Sequence, residues 1–396
     1  MLSGLSQRAR VILLGAVGTI AAFFVFGGGR RQEPPDPYKA VPRDSFLVAT
    51  LNLAELRQSP LHDVLLGKES PTRGNPVLDR RSLGIGDLAS ACGFDPLTRV
   101  KSLALAVPEE GEKGELGVAA RIDVTRDELT KCSAALAGRR GERIETKEVG
   151  GFAVVEAPSP SGDSAEPSEG TRPRLAYGHG GLLVVGRGAW FDAMLATVDA
   201  KRPGIGESEA HVSMRASLTS KPGWQRPTLL VTVLLPQALR ARLKDEMAAE
   251  VASTKEQASE ESAKIMAGVL GVSTVGIALK AGASGQRVEA AVELVCDTDE
   301  ACASVEKLVA KKRLDWSKEL SLRMLGLGPL LDSIDIRREG AKVRVTAGTS
   351  ADGLAATIDR VMRLQARRRE ERPSVPPPPP RPDETIPAPR PPSEKK

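Results

Sequence analysis

The stretch Arg287–Leu308, RVEAAVELVCDTDEACASVEKL, holds the two patterns that decide the fold. Its first nine residues alternate apolar and polar, as in a strand with one face packed on helices and the other partly open. The strand ends at Cys296, and DTDEA leads into a helix, DEACASVEKLVAKKRL, that carries Cys302 in its first turn. A C-x5-C spacing is not the C-x-x-C of a thioredoxin-like centre, and no second nearby pair completes a zinc site. DTDEA also lacks the later glycine and terminal glutamate of a calcium loop. A turn between strand and helix does bring the two thiols close enough for a disulfide.

The two remaining cysteines repeat the arrangement. Cys92 ends SLGIGDLASACG, a helix before a pair of strands, and Cys132 lies in TRDELTKCSAALAG, the helix after them. Both helices pack on one sheet face, so Cys92 and Cys132 form the second expected bridge. An even cysteine count that divides into local pairs favours an oxidising compartment. Four inert buried thiols would be the cytosolic alternative.

Working outward, the chain reads as the same plan twice. Strand SFLVATLNL and helix AELRQSPLHDVLLG precede strands VKSLALAVPE and ELGVAARIDV. Thr125, with Glu128 three residues on, caps the next helix. Hairpins ERIETKEVGGFAVVEAP and RLAYGHGGLLVVGRG follow, and helix AWFDAMLATVDA closes the unit. The second half runs through strand TLLVTVLL, a charged helix from Pro236, strands STVGIALKAG and RVEAAVELVC, the Cys302 helix and an apolar helix LSLRMLGLGPLLDS. Hairpin IDIRREGAKVRVTAG and helix ADGLAATIDRVMRL end it. The expected fold class is therefore α+β: two related units of antiparallel sheet packed with helices, at residues 44–200 and 201–365.

The ends differ in kind. Val11–Phe26 is an uninterrupted apolar or small run, extended by Gly27–Gly29. Nineteen helical residues at ~1.5 Å reach ~28 Å, the thickness of a bilayer core. Residues 1–31 are thus expected to be an anchor with one transmembrane helix at about 11–29, followed by a linker at 32–43. Bulky FFVF stands where a cleavage site would need small residues, which favours retention over processing. Arg8 and Arg10 precede the span and Arg30 and Arg31 follow it, so it is the free α-amino group that tips the count towards N-terminus inside and core outside. Residues 157–174 read as a Ser/Pro/Gly spacer. Residues 366–396 form a basic tail with eleven prolines between Pro373 and Pro392, which cannot enter a helix or sheet interior.

A pI near 9.0 invites a nucleic-acid reading. The charge, however, sits at the ends, +4 over residues 1–43 and +3 over residues 366–396. Out of a total of +5, residues 44–365 carry −2. With aromatics at 3% as well, the folded part lacks a basic, stacking surface, and no nucleic-acid partner is expected. Because aromatics are scarce, the core must be built from Leu, Val, Ile and Ala.

Motifs for chemistry are sparse. His62 neighbours Asp63, but adjacent helix residues face apart; His179 lies in a glycine turn; His211 stands at a helix start. No G-x-S-x-G elbow accompanies them. GVLGVSTVG lacks the Lys-Ser/Thr of a phosphate loop. No catalytic, cofactor-binding or metal-ligating residue is therefore assigned, and no cofactor. Scattered acids such as Asp123, Asp297 and Asp315 leave an enzyme as one alternative, and a lipid or apolar-ligand carrier, with a Leu/Val-lined cavity, is another.

The segment AVPRDSFLVATLNLAELRQSPLHDVLL, clearest over residues 41–66, resembles the start of uncharacterised N-terminally membrane-anchored bacterial envelope proteins. CGFDP and MLGLGPLLDS match more loosely. The resemblance implies an envelope protein of a GC-rich bacterium and carries no catalytic residues. The functional expectation is a single-pass, membrane-anchored extracytoplasmic binding or scaffolding protein. The N-terminal helix would engage the membrane, and the Pro-rich tail an envelope or cell-wall partner.

Overall fold

The computed structural model describes residues 36–67, 85–109, 115–139, 141–156, 173–178, 180–253 and 267–370. The expected N-terminal span, most of the 157–174 spacer, His179 and the Pro-rich tail from residue 371 lie outside the described residues. No helix among the described residues is long and apolar enough to cross a membrane.

Twelve strands form one antiparallel sheet: β1 (Ser45–Asn52), β2 (Val100–Pro108), β3 (Gly117–Ile122), β4 (Glu145–Val149), β5 (Phe152–Glu156), β6 (Pro173–Gly178), β7 (Leu182–Arg187), β8 (Leu229–Leu234), β9 (Val272–Lys280), β10 (Arg287–Cys296), β11 (Asp335–Glu339) and β12 (Lys342–Ser350). Their spatial order is β11-β12-β10-β9-β8-β1-β2-β3-β7-β6-β5-β4. Within residues 44–200 the first, second and third strands are followed in space by the last, β7, and then by β6. Within residues 201–365 the order is again first, second, third and last, here β12, and then β11. The first half carries the extra hairpin β4–β5.

The two halves share one continuous sheet. β1 pairs antiparallel with β8, with Ala49 opposite Val231. This contact gives both first strands a second hydrogen-bonded neighbour, where either half alone would leave a long apolar edge open. The free edges of the sheet are instead β4, fully exposed with Glu145, Lys147 and Glu148, and β11, with Asp335, Arg337, Arg338 and Glu339. Charged edge strands of this kind resist further pairing.

Helices cover both faces. The first face carries α1 (Leu53–Leu56), α2 (Leu61–Leu66), α3 (Ile85–Cys92), α4 (Pro96–Arg99) and α5 (Arg126–Arg139) over the first half. Leu53, Leu61, Leu88, Leu97 and Leu129 pack there on Leu103, Val118 and Leu183, and the same core runs on to Val288, Ala351 and Ala355 of the second half. The second face carries α6 (Gly188–Val198), whose Trp190, Phe191 and Met194 lie over Ala104, Ala106 and Ala119. Small strand residues let these large side chains sit close to the sheet, and Phe152 joins them there. α7 (Glu209–Thr219) continues this layer over β8 and β9 through Met214 and Leu218.

α8 (Gln237–Ser253) connects β8 towards β9. After β10 come α9 (Asp299–Lys318), α10 (Leu320–Met324) and α11 (Gly328–Asp332), and α12 (Ala351–Glu370) follows β12. α9 packs on the first face through Cys302 and Val305 against Val272, Cys296 and Val343. The two helices that close the halves differ, since α6 lies on the second face and α12 on the first.

LSLRMLGLGPLLDS, expected as one helix, is broken in two. Gly326 adopts φ 91°, and Leu327 N–H bonds the Leu322 carbonyl at 3.1 Å, a C-terminal cap that only a left-handed residue closes. Pro329 then opens α11, at a position where its missing N–H costs nothing. The Thr125–Glu128 cap is present as a reciprocal pair: Thr125 N–H donates to Glu128 Oε2 at 2.7 Å, and Glu128 N–H donates to Thr125 Oγ1 at 3.3 Å.

Candidate functional site: a charged cleft on the open sheet face

The cysteines are joined as two bridges, Cys92–Cys132 with Cα atoms 4.2 Å apart and Cys296–Cys302 with Cα atoms 5.5 Å apart. No free cysteine remains in the chain. Each bridge ties a helix to its neighbouring element on the first face, and both occupy packing positions. They fit an extracytoplasmic protein.

The open surface lies elsewhere. Strand residues alternate between faces, so Val288, Leu294 and Cys296 of β10 point into the first-face cores while Glu289, Ala291 and Glu293 point to the second face. α7 covers that face over β8 and β9 and stops short of β12 and β11. The uncovered part forms a cleft of about 570 Å³, with Ser217, Lys221 and Trp224 as its wall and β10, β12 and β11 as its floor.

Register fixes the floor. Glu293 lies opposite Arg344, and Arg344 lies opposite Arg337, so one acid and two arginines form a row across three strands. Glu339 lies opposite Lys342 in the row beside it, and Asp335 opposite Thr346 on the other side. Like charges directly opposed on a sheet are destabilising, and the arginine pair is offset by acids on either side. Arg337 Nε donates to Asp335 Oδ2 at 2.7 Å, and Arg344 Nη1 donates to the Ser217 carbonyl at 3.3 Å and stands 3.7 Å from Glu293 Oε2. Trp224 Nε1 donates to Glu289 Oε2 at 3.1 Å, and Arg287 Nη2 donates to the Gly348 carbonyl at 3.0 Å.

Glu293 is the central residue. It is only 3% exposed, its Oε2 accepts from Ser217 Oγ at 2.8 Å, and its Oε1 has no hydrogen-bond partner among the described residues. A buried carboxylate oxygen left without a donor is costly, so the site favours any ligand that can supply one. Gly276 makes the arrangement possible. It lies opposite Glu293 in β9, and a Cβ there would collide with Met214 Sδ and sit 2.7 Å from Leu218 Cδ1. Its absence lets α7 settle low enough for Ser217 to reach Glu293.

The scattered acids are not brought together. Asp123, after β3, pairs with Lys101 at 3.1 Å, and Asp297, after β10, accepts from Arg240. β3 and β10 are five strand spacings apart in the sheet, about 24 Å. Asp315 lies exposed near the end of α9. His62 faces its neighbour Asp63 at 3.2 Å, and His211 is wholly buried. No group of three His, Cys, Asp or Glu side chains among the described residues is placed to hold a metal ion. A cleft with this lining suits a polar, charged ligand better than the apolar one of a lipid carrier.

The sequence reading assigned none of the cleft residues. The alternation of RVEAAVELV gave the open face, but Arg344 and Arg337 come from a hairpin some 50 residues on, and their row with Glu293 is set by pairing register alone.

No protein-family model and no curated protein sequence matches the chain. Crystal forms I and III of TP0453 resemble it with a TM-score of 0.41 and 10% identity, covering 84% and 83% of this chain respectively and 100% of their own. A likeness of that size transfers no role and no residue.

Proposed function

We propose that this chain is an extracytoplasmic binding or scaffolding protein of the bacterial envelope, held by its N-terminal segment, with the charged cleft as its ligand surface. The observation that carries the binding role is Glu293: a buried carboxylate with one oxygen unpartnered among the described residues, beside Arg344 and Arg337 on the floor of an open cleft. A ligand that answers both signs of charge is a zwitterion, offering an ammonium or amide donor to Glu293 and a carboxylate to the arginines. The compartment is supported by two disulfides in a chain without a free cysteine. The apolar run at residues 11–29 supports single-pass anchoring, the free α-amino group favours the N-terminus inside, and the Pro-rich tail is suited to reach a wall or envelope partner.

The repeated strand order supports reading residues 44–200 and 201–365 as two related units joined edge to edge through β1 and β8. On that reading the cleft belongs to the second unit alone, because β4, β5 and α6 complete the corresponding region of the first.

Thermal unfolding with amino acids and free-ended di- and tripeptides tests the ligand class. At a ligand concentration of 100 Kd, binding stabilises by about 2.7 kcal/mol, enough to see as a raised Tm. The expected result is a rise with the wild-type chain that Glu293→Gln and Arg344→Gln each abolish. No rise with any zwitterion, or an equal rise in both variants, overturns the assignment.

A further inference from the structure

The end of α9 and the helix after it form a second surface, independent of the cleft. Among the described residues nine large apolar side chains are exposed, and four of them fall within eleven residues: Leu314 and Trp316 of α9, and Leu320 and Met324 of α10. Leu320 and Met324 are each 67% exposed and, four residues apart, share one face of α10. Scattered single apolar residues need no explanation, whereas a cluster like this marks an interaction site.

Its charge identifies the partner. Lys311, Lys312, Arg313, Lys318 and Arg323 are interspersed with the apolar residues along the chain, against Asp315 and Glu319. Arg323 is tied to Asp332 at 2.7 Å, while Lys312, Arg313 and Lys318 form no ion pair among the described residues. Cores of protein–protein interfaces are depleted of lysine. A tryptophan and leucines interleaved with lysines at a helix end are instead the composition of a segment lying at a bilayer surface, with rings and acyl-like side chains among the headgroups and ammonium groups against anionic lipid.

Position adds a constraint. β1 begins at one end of the sheet, and antiparallel pairing puts the end of β10 at that same end. α9 starts there and is about 30 Å long, and by Ser333, whose Oγ accepts from Gly348 N–H at 3.0 Å, the chain has come to the other end of the sheet, where β10 begins. Leu314–Met324 therefore lies at the end of the sheet opposite Ser45, away from the point where the N-terminal segment enters.

We infer that the Leu314–Met324 tip is a docking surface for an anionic lipid bilayer, which it touches with Trp316, Leu320 and Met324 while Lys312, Arg313 and Lys318 engage the headgroups. Trp316 makes this directly observable: Trp190 and Trp224 are buried at 4% and 2% exposure, and the N-terminal segment contains no tryptophan. The full-length chain is first incorporated into phosphatidylcholine vesicles, and vesicles with brominated acyl chains are then added. Brominated phosphatidylglycerol should quench the emission, brominated phosphatidylcholine should not, and ~1 M salt, where the Debye length is ~3 Å, should reverse the effect. The double variant Leu320→Glu/Met324→Glu should show no quenching although it folds, and Trp316→Phe should remove the quenchable emission. Absence of quenching by the anionic vesicles, or equal quenching by both lipids, overturns the inference. So does a dimer that shields Trp316 in solution at the same protein concentration.

Discussion

His211 Nε2 in α7 lies 2.8 Å from the carbonyl oxygen of Ser45 in β1, a residue 166 positions away, and both are buried. A carbonyl oxygen can only accept, so Nε2 carries the proton and Nδ1 accepts from the Thr232 hydroxyl at 2.6 Å. The neutral imidazole thus pins α7 across the seam where β1 meets β8. Burial pushes its pKa down, with the Ser45 bond opposing more weakly.

A depressed histidine pKa has a definite sign in stability. Above about pH 6.5, the ordinary value, the ring is neutral in both folded and unfolded chains. As pH falls below that value the unfolded chain takes up a proton that the folded chain refuses, and stability drops until the folded pKa is reached. The denaturation midpoint of the wild-type protein should therefore fall between about pH 7 and pH 5. His211→Gln should be destabilised at pH 7.5 by about 1–3 kcal/mol, through its lost hydrogen bonds, and should show a smaller decline towards pH 5. A variant with the wild-type pH slope would remove His211 from this role.

The disulfides should make unequal contributions. In the chain-entropy model a separation of 40 residues gives the Cys92–Cys132 bridge about 3.9 kcal/mol, and a separation of 6 gives Cys296–Cys302 about 2.2 kcal/mol. Urea unfolding of Cys92→Ala/Cys132→Ala and of Cys296→Ala/Cys302→Ala measures both. A larger loss for the second pair would mean that local strain or packing, rather than loop closure, sets their worth.

Gly276→Ala should be destabilising by about 1–3 kcal/mol, because its Cβ would meet Met214 and Leu218 in a packed layer. It should also lift α7 and separate Ser217 from Glu293, so ligand-induced stabilisation should weaken beyond the loss of stability itself. Ser217→Ala, which removes the same bond without moving the helix, is the control. If Gly276→Ala is as stable as wild type, α7 is not held down at this position.

Much of this architecture was legible in the chain. Alternation in RVEAAVELV gave a strand with one open face, Thr125 and Glu128 gave a helix start, and the cysteines fell in neighbouring elements, Cys92 and Cys296 at the ends of theirs. What could not be read was non-local. That β1 would pair with β8 and fuse two sheets follows from the edges each half leaves, which no local pattern encodes. The break in α10–α11 was visible as Gly326 and Pro329 but was outweighed by the apolar run around them. The cleft depended on register between β10, β12 and β11, and on a missing side chain at Gly276. The His211 bond joins residues whose proximity only the finished sheet creates.

Whether the folded part lies outside the cytoplasm is tested most directly in cells. Intact spheroplasts carrying the full-length chain are treated with protease, and a parallel sample is denatured unreduced in the presence of an alkylating thiol reagent. With the folded part outside, it is digested or released by the protease, and none of the four cysteines is alkylated before reduction. A folded part protected until the membrane is broken, with all four thiols alkylated, would contradict that location.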